Sequence, residues 1–375
     1  MLVGELDQTE RDTLVGAAVL APSMHNAQPW CFRFRGRSVE VHRDPARELA
    51  AEDPEGRMTL IGAGTALVNL RVAAAAIGAH TTTLLFPDPE RRTLVALVSV
   101  GNPSEDAGQL AALFPFLPRR RTNRQPFTER AVPNEVRTDI SQAAAGEGVR
   151  LEWIDDRDRQ RWLMELATDA DIAEADDPRR LVERQVWVGG QRTSSGVPSS
   201  ALGPRAEGSS PVRDLAVDPG DRLRPKGKFE DSPSLAVLST TRDTPQDWVT
   251  AGQALQRVLL TATTHGVAAS LLNQPIEHAE LRWLVRDPRS GWTEPQIVLR
   301  FGYGPEVPPT PRRPVAEFVL SERDPDPAPP EPAAQPADRA SGQTSQTSGQ
   351  TSGQMSGQMS GQSVPEPRAP QDPEE

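Results

Sequence analysis

One segment of the chain occurs twice. GTALVNLRVAAAAIGAHTTTLL, which begins at Gly64, aligns without a gap with GQALQRVLLTATTHGVAASLL, which begins at Gly252. Each copy predicts a helix with small residues on one face, ended by a glycine and followed by a strand. Chance likeness between two alanine-rich helices is the alternative interpretation.

Two further pairs of segments favour a true repeat. LVALVSVGNP at Leu94 corresponds to QIVLRFGYGP at Gln296, and TERDTLVGAAVLAPS at Thr9 corresponds to EVRTDISQAAAGEGV at Glu135. Each half is therefore predicted as a helix, a strand, a long helix, a strand and a closing strand, an α+β unit. Because an isologous interface needs the same surface twice, two tandem repeats predict an intrachain pseudo-dimer, with halves at residues 1–115 and 116–322.

The segment that begins at Glu135 and the segment that begins at Gly252 are 62 residues further apart than their counterparts at Thr9 and Gly64 in the first half. Most of this excess lies at about residues 158–233, where GGQRTSSGVPSSALGPRAEGSS predicts a long mobile loop, either a lid or a disordered decoration. Residues 323–375 are Pro-rich, then a Ser/Gly/Gln repeat, then acidic. Such a composition predicts a disordered low-complexity tail.

Charge and cysteine content restrict the class of protein. A net charge of −11 argues against a general nucleic-acid surface. Cys31 is the only cysteine, which excludes an internal disulfide and suits a reducing compartment. The amino terminus is acidic, unlike a signal peptide, and the longest apolar stretch, about residues 72–79, is shorter than the ~20 residues of a membrane span. We expect a cytoplasmic protein without a membrane partner.

Two motifs distinguish the halves. APSMHNAQPW, from Ala21 to Trp30, follows the first helix of the first half only, and LPRRRTNRQPF, from Leu117 to Phe127, precedes the second half only. The first motif suits recognition of a flat polar ligand, or it is a helix end followed by a turn. Its candidate ligand-binding side chains are Pro22, Ser23, His25, Asn26 and Gln28.

Arginines in two segments of the chain suggest a binding site for an anion. Arg120, Thr122 and Arg124 alternate, so in an extended segment they would project the same way, and two guanidinium groups beside a hydroxyl suit a phosphate. A solvated basic run is the alternative. In TPRRPVAEFV, prolines hold Arg312 and Arg313 in an extended segment, which is either aimed at a fixed anion or a surface strap. The five histidines have no metal-ligand spacing, and the sequence identifies no catalytic acid, base or nucleophile.

These motifs together resemble the flavin-dependent nitroreductase family over residues 8–320. APSMHNAQPW resembles the family's PSxxNxQPW segment, RRTNRQPF followed by AVPNEVRTDI resembles RRSxRxF followed by VPxexxxxil, and GYGPEVPPTPRRP is similar to GYPxExPxxxR. A first half without the arginine motif, and a long central insertion, are most similar to the fused Acg-like actinobacterial branch.

The resemblance implies a nitroreductase-like fold and one FMN per chain, held between the halves. Arg120, Thr122 and Arg124 would bind the phosphate and ribityl chain, joined by Arg312 or Arg313, while the segment from Pro22 to Gln28 would form a wall beside the flavin. SLLNQPIE would place Asn273 and Gln274 near the ring, although a simple strand-to-helix turn is the alternative.

The activity implied by the resemblance is NAD(P)H-dependent reduction of a nitroaromatic or quinone-like acceptor by ping-pong hydride transfer. Two alternatives remain, namely an FMN-sequestering protein with a closed lid and little turnover, and an accessory domain without flavin. The resemblance implies an interface that two subunits form in the family. Because the two halves of this chain are fused, they would form that interface within one chain, and we expect a monomer.

Overall fold

The structure, a computed structural model, describes residues 4–103, 108–208, 212–287 and 293–328. The first half contains two helices and a four-stranded antiparallel sheet in the order β1-β2-β4-β3. A short helix then leads towards the second half. The elements are α1 (Gln8–Ala18), β1 (Trp30–Arg35), β2 (Ser38–Arg43), α2 (Arg57–Ala76), β3 (Ala79–Leu85), β4 (Leu94–Pro103) and α3 (Gly108–Ala111).

The second half contains a second four-stranded antiparallel sheet, in the order β5-β8-β10-β9. Its elements are α4 (Asn134–Ala145), β5 (Arg150–Ile154), α5 (Arg157–Ala175), α6 (Pro178–Trp187), β6 (Arg205–Ala206), β7 (Lys226–Gly227), β8 (Ser234–Thr240), α7 (Pro245–Thr264), β9 (Ala268–Leu271), α8 (Gln274–Glu277), α9 (Ala279–Arg282) and β10 (Glu294–Gly302).

The two sheets have the same strand order and the same antiparallel pairing, so each half repeats one topology. Both long helices end at a left-handed glycine, Gly78 and Gly266, as their sequences indicated. The prediction of one strand before the long helix is wrong, because two strands of the four-stranded sheet precede that helix in each half. In the first half, β1 and β2 form a hairpin that turns at Gly36, whose φ is 58°.

The insertion occupies the connection between β5 and β8, where the first half has only this hairpin turn. The prediction of a long loop is wrong for its beginning, because α5 and α6 form two helices there. Arg192 then donates to the carbonyl groups of Val186 and Gly189, at 2.7 Å each, which satisfies acceptors at the end of α6. A small apolar cluster of Val188, Val197, Leu202 and Leu215 packs the segment that follows.

Helices α2 and α7 cross at the centre of the protein. A methyl group on Gly64 would collide with the carbonyl oxygen of Val249, and one on Gly252 with that of Ile61. The two backbones therefore touch where the repeat aligns the two glycines. One turn further, Gln256 donates to Asn69 at 2.6 Å. Helix α2 is long and apolar enough to cross a membrane, but 94% of its apolar window is buried inside the protein.

The start of the predicted tail is held against the first half. Asp326 accepts hydrogen bonds from Arg33 at 2.6 Å and Arg91 at 2.7 Å. Glu40 and His42 lie beside it, and these three side chains have the arrangement of a metal site, but Arg33 and Arg91 already pair with the carboxylates. The boundary at residue 323 is thus too early, and the remaining tail, 329–375, lies outside the described residues.

We expect Gly252→Ala to lower the free energy of unfolding by about 3 kcal/mol, because the new methyl group meets backbone that cannot rotate away. Gly16→Ala in α1 is the matched control. A Cβ atom there meets nothing within 4 Å, so alanine should add about 0.5–1 kcal/mol. Urea unfolding measures both variants, and similar effects of the two substitutions would contradict the close crossing of α2 and α7.

Candidate functional site

The segment after α1 adopts an unusual backbone conformation. His25, Asn26 and Gln28 all have positive φ, at 47°, 55° and 56°. Non-glycine residues rarely adopt this region, so surrounding contacts must hold it. The hydroxyl of Ser23 accepts from the backbone N–H of Gln28 at 2.9 Å and closes the turn.

Two amide side chains connect this turn to distant parts of the chain. Asn26 donates to the carbonyl groups of Gly196, at 3.0 Å, and Pro311, at 2.9 Å. Gln28 donates to Ser194 at 3.0 Å and accepts from the backbone N–H of Arg313 at 3.1 Å. These amides thus join the first half to the insertion and to the closing segment.

Next to the turn lies a cavity of about 260 Å³, which we call the arginine cavity. The segment that carries the arginines is held against β9, where Thr122 pairs with Ala269. Leu20, Pro22, Ser23 and Asn26 of the first half form the opposite wall. No acidic residue of the described part of the chain lines this cavity. Its basic and hydroxyl side chains are those of Ser23, Arg120, Arg121, Thr122, Arg124, Ser200, Thr310 and Arg312.

The arginines here carry charge that no carboxylate of the described residues neutralises. Arg120 is 4% exposed, and its Nε and Nη1 atoms have no hydrogen-bond partner among the described residues. Burial, followed by the charges of Arg312 and Arg121, lowers the pKa of Arg120 to about 9. Burial also lowers the pKa values of Arg124 and Arg312 to about 10. Since an unpaired buried charge is costly, an anionic ligand would be strongly favoured here.

A second cavity of about 100 Å³, the apolar slot, adjoins the first. The two share Pro22, Ser23, Thr122 and Arg124, so they form neighbouring parts of one cleft. Most of the remaining slot wall is apolar, from Met24, Met58, Ile61, Leu215, Leu255 and Leu271. The cleft therefore suits a ligand with an anionic group at one end and a flat apolar body at the other.

The structure brings most of the predicted site residues to this cleft. Pro22, Ser23, His25, Asn26, Arg120, Thr122, Arg124, Asn273 and Arg312 line one or both cavities. The side chain of Asn273 also has a structural role, since its oxygen accepts a hydrogen bond from the backbone N–H of Val298 at 3.0 Å.

Two predicted residues lie outside the linings of both cavities. The side chain of Gln28 instead bonds to the backbone of Ser194 and Arg313. Arg313 pairs with Glu317 at 3.0 Å, while Arg312 donates to the carbonyl of Val19 at 2.8 Å and faces the cavity. Sequence reasoning named Gln274 beside Asn273 and placed Arg213 within the possible lid, but it missed Arg121 and the apolar side chains of the slot, such as Met58 and Ile61. The run RRR was a signal for Arg121, whereas no sequence pattern indicated which carboxylates would hold Arg213 in place.

Cys31 lies on β1 and is 4% exposed. Burial, then the charge of Asp44, raises the pKa of its thiol to about 12. The cysteine therefore has the character of a core residue and not of a reactive thiolate.

A buried ionic cluster fixes the insertion over the slot. Glu52 lies 2.8 Å from His25 and 3.1 Å from Arg184, and Glu174 lies 2.7 Å from Arg184. Arg213 pairs with Glu174 and, at 2.7 Å, with Glu277. Through Val212, Arg213 and Leu215 the insertion forms one wall of the slot.

The corresponding position on the other side of the pseudo-dimer is filled. Thr65 lines the slot, but its repeat counterpart Gln253 accepts from Arg71 at 3.1 Å, and Arg71 also pairs with Glu147 at 2.7 Å. The counterparts of Ile61 and Leu255 are Val249 and Leu67, which are buried in the main core with Leu113 and Leu117 and with the packed rings of Phe114 and Phe116. The described residues thus retain one composite cleft of this kind.

Curated relatives match most of the chain, although no protein-family model matches it. A Mycobacterium tuberculosis protein whose name assigns it to the NAD(P)H nitroreductases is 33% identical over 315 residues, covering 82% of this chain and 90% of that protein. The M. tuberculosis protein Acg, whose name makes the same assignment, is 33% identical over 323 residues, covering 83% and 95%.

Among solved structures, the FMN-dependent nitroreductase NfnB of Mycobacterium smegmatis in complex with NADPH is 16% identical, with a TM-score of 0.34, and the match covers 56% of this chain and 99% of that one. A Bacteroides fragilis nitroreductase with bound FMN is 18% identical, with a TM-score of 0.32, covering 52% and 89%.

The ionic cluster predicts a pH dependence of stability. Burial alone would raise the pKa of Glu174, but Arg213, His278 and Arg184 outweigh it and lower the pKa from 4.5 to about 2. The folded state therefore gains stability that is complete above pH 4.5 and is lost as the pH falls towards about 2. We expect Glu174→Gln to cost about 3 kcal/mol at pH 7 and clearly less at pH 3 in urea unfolding.

Glu165→Gln, exposed on the same helix α5, is the control and should change stability by less than about 0.5 kcal/mol at either pH. If Glu174→Gln cost the same at pH 7 and pH 3, the carboxylate would not be held ionised by its arginines.

Proposed function

Because the chain belongs to the nitroreductase family, we propose that it is an FMN-binding oxidoreductase that uses NAD(P)H to reduce nitroaromatic or quinone-like acceptors in a ping-pong cycle. The observation that carries this proposal is the pair of orphaned guanidinium nitrogens of buried Arg120, in a cavity without an acidic side chain and beside an apolar slot. FMN has the matching shape, with a phosphate at one end and a flat ring system at the other.

The residues present fit this ligand. Arg120, Thr122, Arg124 and Arg312 would hold the phosphate and the chain leading to it, and Arg121, which lines the same cavity, adds a further positive charge. A bound flavin supplies the hydride chemistry itself, so the protein needs to bind, orient and shield it. Because the flavin would supply the chemistry, the protein needs no nucleophile or acid-base pair, and the sequence predicted none.

The apolar side chains of the slot would enclose the ring. Met58 and Ile61 of α2 lie on one side of the composite cleft and Leu255 and Leu271 come from the second half. These side chains would exclude water from the bound ring, which would strengthen nearby polar interactions. Orientation comes from the arginine cavity at the other end.

Turnover requires a second reactant to reach the ring. A cavity of about 390 Å³ adjoins the slot through Met58 and Glu277, and it supports an enzyme because it offers space for that reactant. The insertion wall, fixed by Arg213, supports the alternative of an FMN-sequestering protein. We favour the enzyme, with Met58 and the insertion controlling access to the ring.

The filled counterpart of the cleft supports a stoichiometry of one FMN per chain. We also propose that the protein is a monomer, since α2 and α7 make within one chain the contact that two copies would otherwise make. A cytoplasmic location without nucleic-acid or membrane partners completes the proposal, and the net charge of −11 supports it.

We expect Arg120→Ala and Arg124→Ala each to weaken FMN binding by about 1.5–3 kcal/mol, because each removes charge-assisted hydrogen bonds to the phosphate. Arg119→Ala is the matched control, since Arg119 is exposed and stacks on Phe116 outside the arginine cavity. Titration of the flavin-free protein, followed by flavin fluorescence, gives the affinity and an endpoint near one FMN per chain. An endpoint near two would overturn the stoichiometry of one FMN per chain, and unchanged affinity in both variants would overturn the assignment of this cavity.

A companion measurement separates a ligand role of Arg120 from a structural one. In flavin-free protein, Arg120→Met should leave stability unchanged or raise it by about 1 kcal/mol, because it removes an unpaired buried charge. A large loss of stability would show that Arg120 supports the fold and not a ligand.

Anaerobic mixing of the FMN-loaded protein with NADPH or NADH tests turnover. We expect the flavin absorbance to bleach within seconds and to return when a quinone is added. If neither nucleotide bleaches the flavin over minutes, while dithionite does, the sequestering alternative is correct.

A further inference from the structure

The apolar slot contains a buried hydrogen-bond acceptor that the protein does not satisfy. Gln274, at the start of α8, lines the slot and is 1% exposed. Its amide nitrogen donates to Asp171 Oδ2 at 3.4 Å, while its Oε1 atom has no hydrogen-bond partner among the described residues. Because a carboxylate only accepts, the amide nitrogen must face Asp171, which leaves the oxygen free.

A second residue of the slot wall also carries an unsatisfied polar atom. Arg213, from the insertion, uses Nη1 for Glu277 at 2.7 Å and Nη2 for Glu174. Its Nε atom lies 3.8 Å from Asp171 Oδ1, beyond hydrogen-bond distance, and has no hydrogen-bond partner in the described chain. Arg213 is 8% exposed, so water does not readily replace the missing acceptor.

Asp171 connects the two side chains, since it lies 3.4 Å from Gln274 Nε2 and 3.8 Å from Arg213 Nε, and both side chains line the slot. Leaving both unpaired costs free energy, since each has lost its hydration. A ligand edge with an N–H beside a carbonyl oxygen would satisfy both at once.

We propose that Gln274 and Arg213 bind the imide edge of the flavin ring, with Gln274 Oε1 accepting from the ring N3–H and Arg213 Nε donating to an adjacent ring carbonyl. This inference rests on the proposed function and extends it, because it makes a residue of the insertion part of the ligand site. The insertion then contributes to flavin recognition as well as covering the cleft. The pair also selects for ring systems that carry an imide N–H over otherwise similar rings that lack one.

The test compares FMN with 3-methyl-FMN, in which a methyl group replaces the N3 hydrogen. The wild-type protein should bind 3-methyl-FMN at least about tenfold more weakly, the equivalent of one lost hydrogen bond and some crowding. Gln274→Ala should reduce this ratio to about twofold, because it removes the acceptor and makes room for the methyl group.

Gln256→Ala provides the matched control. Gln256 is also a buried glutamine with an unpartnered Oε1, but it faces Asn69 in the α2–α7 contact and does not line the slot. The ratio of the affinities for FMN and 3-methyl-FMN should be the same in Gln256→Ala as in the wild type, even if the variant is less stable. Thermal unfolding of all three proteins with and without FMN confirms that only folded protein is compared.

Arg213 is tested by replacement with lysine, which keeps the positive charge beside Glu174 and Glu277 but has no Nε–H at that position. Arg213→Lys should bind FMN about three- to tenfold more weakly. Arg184→Lys is the control, because Arg184 belongs to the same ionic cluster and does not line the slot.

The outcomes separate this inference from the proposed function. Failure of the wild type to bind FMN would overturn both. Arg120-dependent FMN binding with equal affinity for 3-methyl-FMN, or a ratio that Gln274→Ala leaves unchanged, would overturn only the assignment of the imide edge. Equal weakening by Arg213→Lys and Arg184→Lys would show that the cluster acts through the fold alone.

Discussion

The close crossing of α2 and α7 at Gly64 and Gly252 is the contact on which the site depends. Without side chains at the crossing, the two helices approach until their backbones touch. Residues within one turn of these glycines, Ile61 and Thr65 on α2 and Leu255 on α7, then meet in the same apolar slot. The cleft therefore exists because two repeated helices are held at backbone distance, and each half supplies only part of its wall.

A fused pair of repeats can lose one of two equivalent sites without losing the interface between them. In this chain the retained cleft is formed by the turn after α1 in the first half and by arginines of the second half. At the other position an ion pair and core side chains occupy the space. The insertion lies between β5 and β8, where the first half needs only the turn at Gly36, so it was added without disturbing the order of the sheet. Asn26 and Gln28 then hold it against the retained cleft.

The sequence predicted what depends on short-range patterns. The repeat, the glycines that end both long helices, and the alternation of Arg120 and Arg124 all follow from spacing along the chain. It did not predict what depends on distant partners. Arg312 and Arg313 are adjacent in an extended segment, so their side chains project in different directions, and only the position of α1 decides which one faces the cavity. Arg213 acquires its place through Glu174 and Glu277, which lie 39 and 64 residues away. The helices of the insertion were missed because its Gly/Ser-rich portion dominated the composition of that region.

The contrast between two groups of arginines makes the case for a ligand. Around Glu52 and Glu174, each buried arginine has a carboxylate partner, so the protein itself meets the cost of removing the charges from water. Arg120 is equally buried and has no carboxylate partner within the described ranges, although the same chain supplies carboxylates freely elsewhere. A structural role would be served better by an apolar side chain at that position. An arginine kept there without a counter-charge is explained most simply by an anion that arrives from outside the chain, and binding of that anion would then stabilise the folded protein in proportion to the cost it removes.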